Sequence, residues 1–187
     1  FGAFVTNPIS ASPRSPAQGE RLCRTPGGVL LHTGHPNPGF NAVLRQYGRI
    51  WTHPPAQANL PIIVHLLGQH PDDIASMVRR LEGVENVMGI ELGLPPGVDG
   101  PLARQMMEAA VGELLLIVRL PENTAEGATV HTLAELAIQA GAGALSLGPP
   151  RGLYPSHAHL VSGRLYGPVV LPTALLRVQE LAGLGIP

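Results

Sequence analysis

Leu114-Leu115-Leu116-Ile117-Val118-Arg119-Leu120 is a short apolar run with one arginine in it, closed by Pro121. A segment this short and this apolar reads as a strand buried on both faces, the habit of parallel sheets. Runs of the same character occupy Gly2 to Val5, Leu60 to Leu67, Val87 to Leu94 and Gly143 to Leu147, each set off by Gly or Pro. The last four begin 27 to 29 residues apart. That spacing is the period of a βα unit, provided the intervals are helical.

The intervals are patterned that way. Pro71, Asp72 and Asp73 suit a first helical turn, and Ile74, Met77, Val78 and Leu81 then recur at helical spacing up to Gly83. Pro101 opens a second helix with Leu102, Met106 and Ala110 on one face. Val130, Leu133, Ala134 and Ala137 mark a third that stops at Gly141. A fourth is expected over 172–184 with Leu175, Val178 and Leu181 inward, and a weaker one over 40–47. Strands alternating with helices of this length must pair in parallel. The reading is an α/β chain, an incomplete (β/α)8 TIM barrel, with residues 1–187 forming a single domain. A complete barrel of this kind takes about 250 residues. The chain starts in a strand without Met and ends where another strand is due, so both ends are expected to be missing. The exposed sheet edges then call for more chain or a partner.

Composition narrows the chemistry. Of 187 residues, 44% are hydrophobic and only 13% charged, with a net charge of -1, so no field exists to hold nucleic acid or a membrane surface. No apolar run approaches the roughly 20 residues of a membrane span. The 23 Gly and 20 Pro lie between apolar runs, as in a loop-rich globular chain. All twelve basic residues are Arg, which excludes Schiff-base lysine chemistry and a Walker A loop. Cys23 is the only cysteine, so no intrachain disulfide forms, which fits a cytoplasmic location. Neither Gly-x-Ser-x-Gly nor Gly-x-Gly-x-x-Gly follows a strand.

Working groups of a βα barrel follow the carboxyl ends of its strands. Here these are Thr6 and Asn7, Gly68 to His70, Gly93 to Val98, Arg119 to Asn123, and Ser146 to Arg151. Arg119, the one polar side chain of its strand, is expected to bind an anion or to pair with Glu91 at the neighbouring strand end. No other strand end is expected to carry a positive charge. Eight histidines admit a metal-dependent hydrolase built on His157 and His159, with His32, His35, His53, His65 and His70 as further ligands, although the pair is expected in a loop.

Several segments in order resemble one family, the FMN-dependent dihydroorotate dehydrogenases. They are Gly2-Ala3-Phe4-Val5-Thr6 with Pro13-Arg14, Gly27-Gly28-Val29-Leu30, Gly34-His35-Pro36-Asn37-Pro38-Gly39, Ile90-Glu91-Leu92 and Val118-Arg119-Leu120-Pro121. Gly163-Arg164-Leu165-Tyr166-Gly167-Pro168, with Pro172, Ala174, Leu175 and Arg177, resembles the family's Gly-Gly-Leu-Ser-Gly-Pro helix entry. The match implies strands 2 to 6 of a TIM barrel, an oxidoreductase of pyrimidine synthesis acting on CH-CH groups, FMN as cofactor, and a small-molecule ligand. By resemblance, Thr6, Asn7, Arg119 and Ser146 bind the cofactor and Asn37 the substrate. The functional positions depart from the pattern. Asn7 and Arg119 stand where the family has lysines, Leu31 where it has Asn, and Ser146-Leu147 where it has an Asn-Thr or Asn-Ser pair. The loop that carries the orotate-binding asparagines and the base reads Gly93-Leu94-Pro95-Pro96-Gly97-Val98, with Pro96 at the base position. Losing a general base costs about a hundred- to ten-thousandfold in rate. The resemblance therefore implies a divergent or impaired flavoprotein. The alternatives are a noncatalytic barrel subunit supporting an active partner, and the metal hydrolase; the partner expected is a homo-oligomer or another subunit.

Overall fold

The computed structural model describes residues 2–53, 60–122, 128–156 and 159–186. Its main layer is a curled, half-barrel sheet of parallel strands. β1 (Phe4–Val5) and β2 (Ile9–Ser10) both run parallel to β5 (Ile62–Leu67), which pairs with β6 (Val87–Gly93), then β7 (Leu115–Leu120), then β8 (Ala144–Leu147). The expected parallel pairing of 60–67 with 87–94 is present. Helices α2 (Pro71–Leu81), α3 (Gly100–Ala110) and α4 (Val130–Ala140) make the crossovers, and α1 (Phe40–Thr52) precedes β5.

Local chemistry sets the helix ends. Asp99 accepts a hydrogen bond from Leu102 N, Thr129 and Thr132 form a reciprocal capping box, and Gly141 ends α4 at φ 94. Ile74, Met77, Val78 and Leu81 are all buried, as their spacing requires. They meet the outer face of the sheet, where Val64, Leu66, Ile90, Leu92, Val118 and Leu120 have no exposure. Strand alternation sends the intervening residues to the inner face. The register sets His65 beside Glu91, and Gly93 beside Arg119 beside Ser146.

The second layer is a four-stranded antiparallel sheet that the sequence reading omitted. It is ordered β3 (Leu22–Thr25), β4 (Gly28–Leu31), β10 (His159–Tyr166), β9 (Arg151–Ser156). Its buried centre is small: Cys23, Leu30 and Val161, with Tyr154 and Leu165 against them. A Cβ on Gly28 would lie 2.0 Å from the Tyr166 carbonyl oxygen, so glycine is required there for strand approach rather than for a turn alone.

Residues 163–166 end β10, and a 3-10 turn (Pro168–Val170) leads into α5 (Leu171–Ala182), so the helix entry lies directly after a strand end. Two expectations are corrected. Leu181 is buried in α5, but Leu175 and Val178 are 59% and 54% exposed, because no described element packs on that face. His159 begins β10 rather than lying in a loop, while its companion His157 lies outside the described residues.

Candidate functional site

Glu91 is the centre of a polar cluster on the inner face of the parallel sheet, and it is 6% exposed. Three side chains from three neighbouring strands converge on it. Ser146 Oγ donates to Oε1 at 2.6 Å, Arg119 NH1 lies 3.3 Å from Oε1 and 3.4 Å from Oε2, and His65 Nδ1 lies 3.1 Å from Oε2. A carboxylate so buried needs such partners. The expected ion pair of Arg119 with Glu91 is therefore formed. An ionised carboxylate only accepts, so Nδ1 of His65 carries the proton and Nε2 presents its lone pair. Burial lowers the pKa of His65 to about 4; Arg119 and Arg164 add to this, and Glu91 opposes it.

Over the carboxyl ends of the strands lies a cavity of about 610 Å³, between the parallel sheet and the antiparallel one. Asn7, His65, Gly93, Pro96 and Arg119 line it from the parallel side, and Arg14, His35, Arg151 and Arg164 from the other. The reading of Arg119 as the sole positive strand end is thus corrected, since β9 and β10 bring Arg151 and Arg164 to the same mouth. Arg164 NH2 donates to Thr33 Oγ1 at 3.1 Å and NH1 contacts His35 Nε2. An arginine only donates, so that His35 nitrogen is an acceptor. Burial and then Arg164 are the leading causes that lower the His35 pKa to about 4. His35 also adopts φ 53, in the left-handed region, so a strained non-glycine residue sits on the cavity wall.

The residues singled out from the sequence fall into two groups. Asn7, Pro96 and Arg119 line the cavity, and Ser146 donates to Glu91, which in turn holds Arg119. Thr6 lies behind the wall: its Oγ1 donates to the Asn7 carbonyl at 3.0 Å and accepts from His65 N at 3.0 Å. Asn37 holds its own loop together, donating to Ser10 Oγ and the His35 carbonyl and accepting from Gly39 N, each at 3.0 Å. His159 is exposed, and among the described residues no group of three His, Cys, Asp or Glu could hold a metal ion. Two functional positions carried readable signals. His65 is the one polar residue of β5, as Arg119 is of β7. Arg164 lies opposite the Val161, Gly163, Leu165 alternation that marks β10 as a strand.

A curled parallel sheet backed by helices, with a cation-rich cavity over its strand ends, defines the class: α/β proteins whose ligand site lies at the carboxyl ends of the strands. Comparison with known proteins gives the relatives. The chain is 31% identical to the catalytic subunit of dihydroorotate dehydrogenase B (NAD(+)) of Pelobacter propionicus and 30% identical to that of Trichlorobacter lovleyi, in each case over 97% of this chain and 64% of the relative. A solved structure of dihydroorotate dehydrogenase from Eimeria tenella, in complex with ferulenol, shares its fold at TM-score 0.69 and 16% identity, over 97% of this chain and 60% of that one. No family model matches. The chain is similar over nearly all its length to dihydroorotate dehydrogenases, as a divergent relative, and it spans just under two thirds of the length of the curated relatives it matches. Among the described residues no helix is long and apolar enough to cross a membrane.

Proposed function

We propose that the chain is the barrel portion of a dihydroorotate-dehydrogenase-like flavoprotein, a single domain over 1–187 equivalent to about strands 2 to 6 of a (β/α)8 barrel, working in the cytoplasm. The observation that carries this reading is the Glu91 cluster opening into a cavity lined by Arg14, Arg119 and Arg164. Guanidinium groups around a buried acceptor suit a planar anionic molecule.

The residues present fit FMN. The cavity is roomy enough for a flavin ring beside a small substrate. Asn7 and Arg119 line it where the family's flavin contacts fall by resemblance, and Arg164 Nε is buried without a partner among the described residues. FMN, once bound, supplies the two-electron chemistry. The chain's own contribution is positional. One nitrogen of Arg119 is fixed by Glu91, so the rest of its guanidinium faces the ligand in one orientation. Ser146 and His65 hold the Glu91 carboxylate from two sides, which keeps Arg119 in place. His35, neutral and held by Arg164, adds an uncharged wall. Substrates are proposed to be small carboxylates of the dihydroorotate type, with a partner subunit or a second copy covering the sheet edges.

Titration of the purified chain with FMN, followed by anaerobic addition of dihydroorotate, tests the reading. One-to-one binding and bleaching of the flavin absorption are expected. A chain that binds no FMN under any loading condition would overturn it.

A further inference from the structure

Among the described residues two buried side-chain nitrogens lack a hydrogen-bond partner, His65 Nε2 and Arg164 Nε, and both residues line the same cavity. An unpaired buried polar atom costs free energy that a bound group recovers. The two differ in kind. The guanidinium nitrogen can only donate, whereas His65 Nε2 accepts because the proton is held on Nδ1 by Glu91.

His65 Nε2 also lies 2.7 Å from where a Cβ on Gly93 would begin. Any side chain at 93 would displace the imidazole, so the bare backbone of β6 and the histidine of β5 fit as a pair. By resemblance, position 93 is where the family carries a substrate-binding asparagine, and Pro96 stands at the position of its base. The imidazole thus occupies the space that a side chain at 93 would fill, in the cavity that Pro96 also lines.

We propose that His65 is the proton acceptor of this site and that Glu91 is its positioning residue, an inference that rests on the flavoprotein reading above. In the step, a C–H bond of a dihydropyrimidine ring carbon breaks and its proton forms an N–H bond on His65 Nε2. The hydride of the adjacent carbon leaves with its electron pair to a two-electron acceptor of the flavin class, and the ring gains a double bond. The imidazolium formed stays 3.1 Å from the Glu91 carboxylate, which Ser146 and Arg119 hold in place. The charged and titratable groups facing His65 are Glu91 from β6, Arg119 from β7, Arg164 from β10 and His35 from the loop after β4. A histidine that is neutral at working pH is in the form a base requires.

The test uses the full chain loaded with FMN, with dihydroorotate as reductant and orotate as the binding probe. His65→Asn is expected to slow flavin bleaching about a hundred- to ten-thousandfold while FMN affinity stays within about tenfold. Glu91→Gln is expected to slow bleaching and to move its pH profile, and Glu91→Asp to restore part of the rate, effects that a purely structural carboxylate would not produce. Nitrogen NMR of the imidazole gives a readout independent of turnover and of any variant's folding: orotate is expected to shift the His65 Nε2 resonance. Bleaching undiminished in His65→Asn, or an Nε2 resonance unmoved by saturating orotate, overturns the proposal and leaves the flavoprotein reading standing if FMN binds. Failure of the wild-type chain to bind either FMN or orotate overturns both.

Discussion

The parallel sheet and the antiparallel sheet meet at one cavity, yet they are held together differently. In the parallel layer, strand residues such as Leu92 and Val118 are sealed beneath helices in one large apolar cluster. In the antiparallel layer the buried centre is Cys23, Leu30 and Val161, and cohesion rests on ladder hydrogen bonds and on glycines that let backbones approach. The first layer is a scaffold whose burial is worth about 25 cal/mol per Å² of apolar surface. The second has little such surface and brings charge, Arg151 and Arg164, to the site. Binding groups on a thin layer over a rigid one is a division that allows the site to change while the fold persists.

The largest test of this contrast is a pair of truncations. Leu92→Ala should cost about 2–5 kcal/mol in denaturant unfolding, while Leu30→Ala should fall near about 2 kcal/mol, since fewer buried neighbours leave a smaller cavity. Equal losses would erase the distinction between the layers. Next in size, Arg119→Ala removes one of the partners of a buried carboxylate. Because Ser146 and His65 remain, it should lower stability by about 1.5–3 kcal/mol rather than unfold the chain, as read by melting temperature.

A smaller effect is expected from pH. His35 and His65 titrate near pH 4 when folded, against 6.5 for the ordinary imidazole. Between those values the unfolded chain binds the extra protons, so stability is full above pH 6.5, declines as pH falls from 6.5 to 4, and levels off below. Melting temperatures across this window should show the decline, and His65→Gln with His35→Gln should flatten it. The smallest change is predicted for Val178→Ser on the open face of α5, within about 0.5 kcal/mol. A large loss there would mean that the face is covered in solution.

The same contrast explains what could be read from the sequence. The parallel strands announce themselves because each is apolar throughout and a helix of regular period follows, so 60–67, 87–94 and 114–120 were legible with their crossovers. The antiparallel sheet was not, because its two halves, 22–31 and 151–166, are far apart in the chain and its strands carry Arg, Gly and Ser in place of a clean alternation. For α5, helical spacing identified the helix but not its partner, and a periodic stripe at Leu175 and Val178 does not say whether anything lies against it. Arg119 and its Glu91 partner were visible as lone charges in apolar strands. Arg164 was legible only through the short Val161, Gly163, Leu165 alternation, because the resemblance of residues 163–168 to a helix entry drew the reading away from the strand that precedes it.

The central claim is that the cavity over the parallel strand ends binds a flavin through Arg119. Fluorescence titration of FMN into the wild-type chain and into Arg119→Ala, at a temperature where both are folded, tests it most directly. The account predicts one-to-one binding to the wild type, weakened about ten- to a hundredfold by the substitution, the worth of a charged hydrogen bond. Equal affinity in the two proteins, or no binding to either, would contradict it.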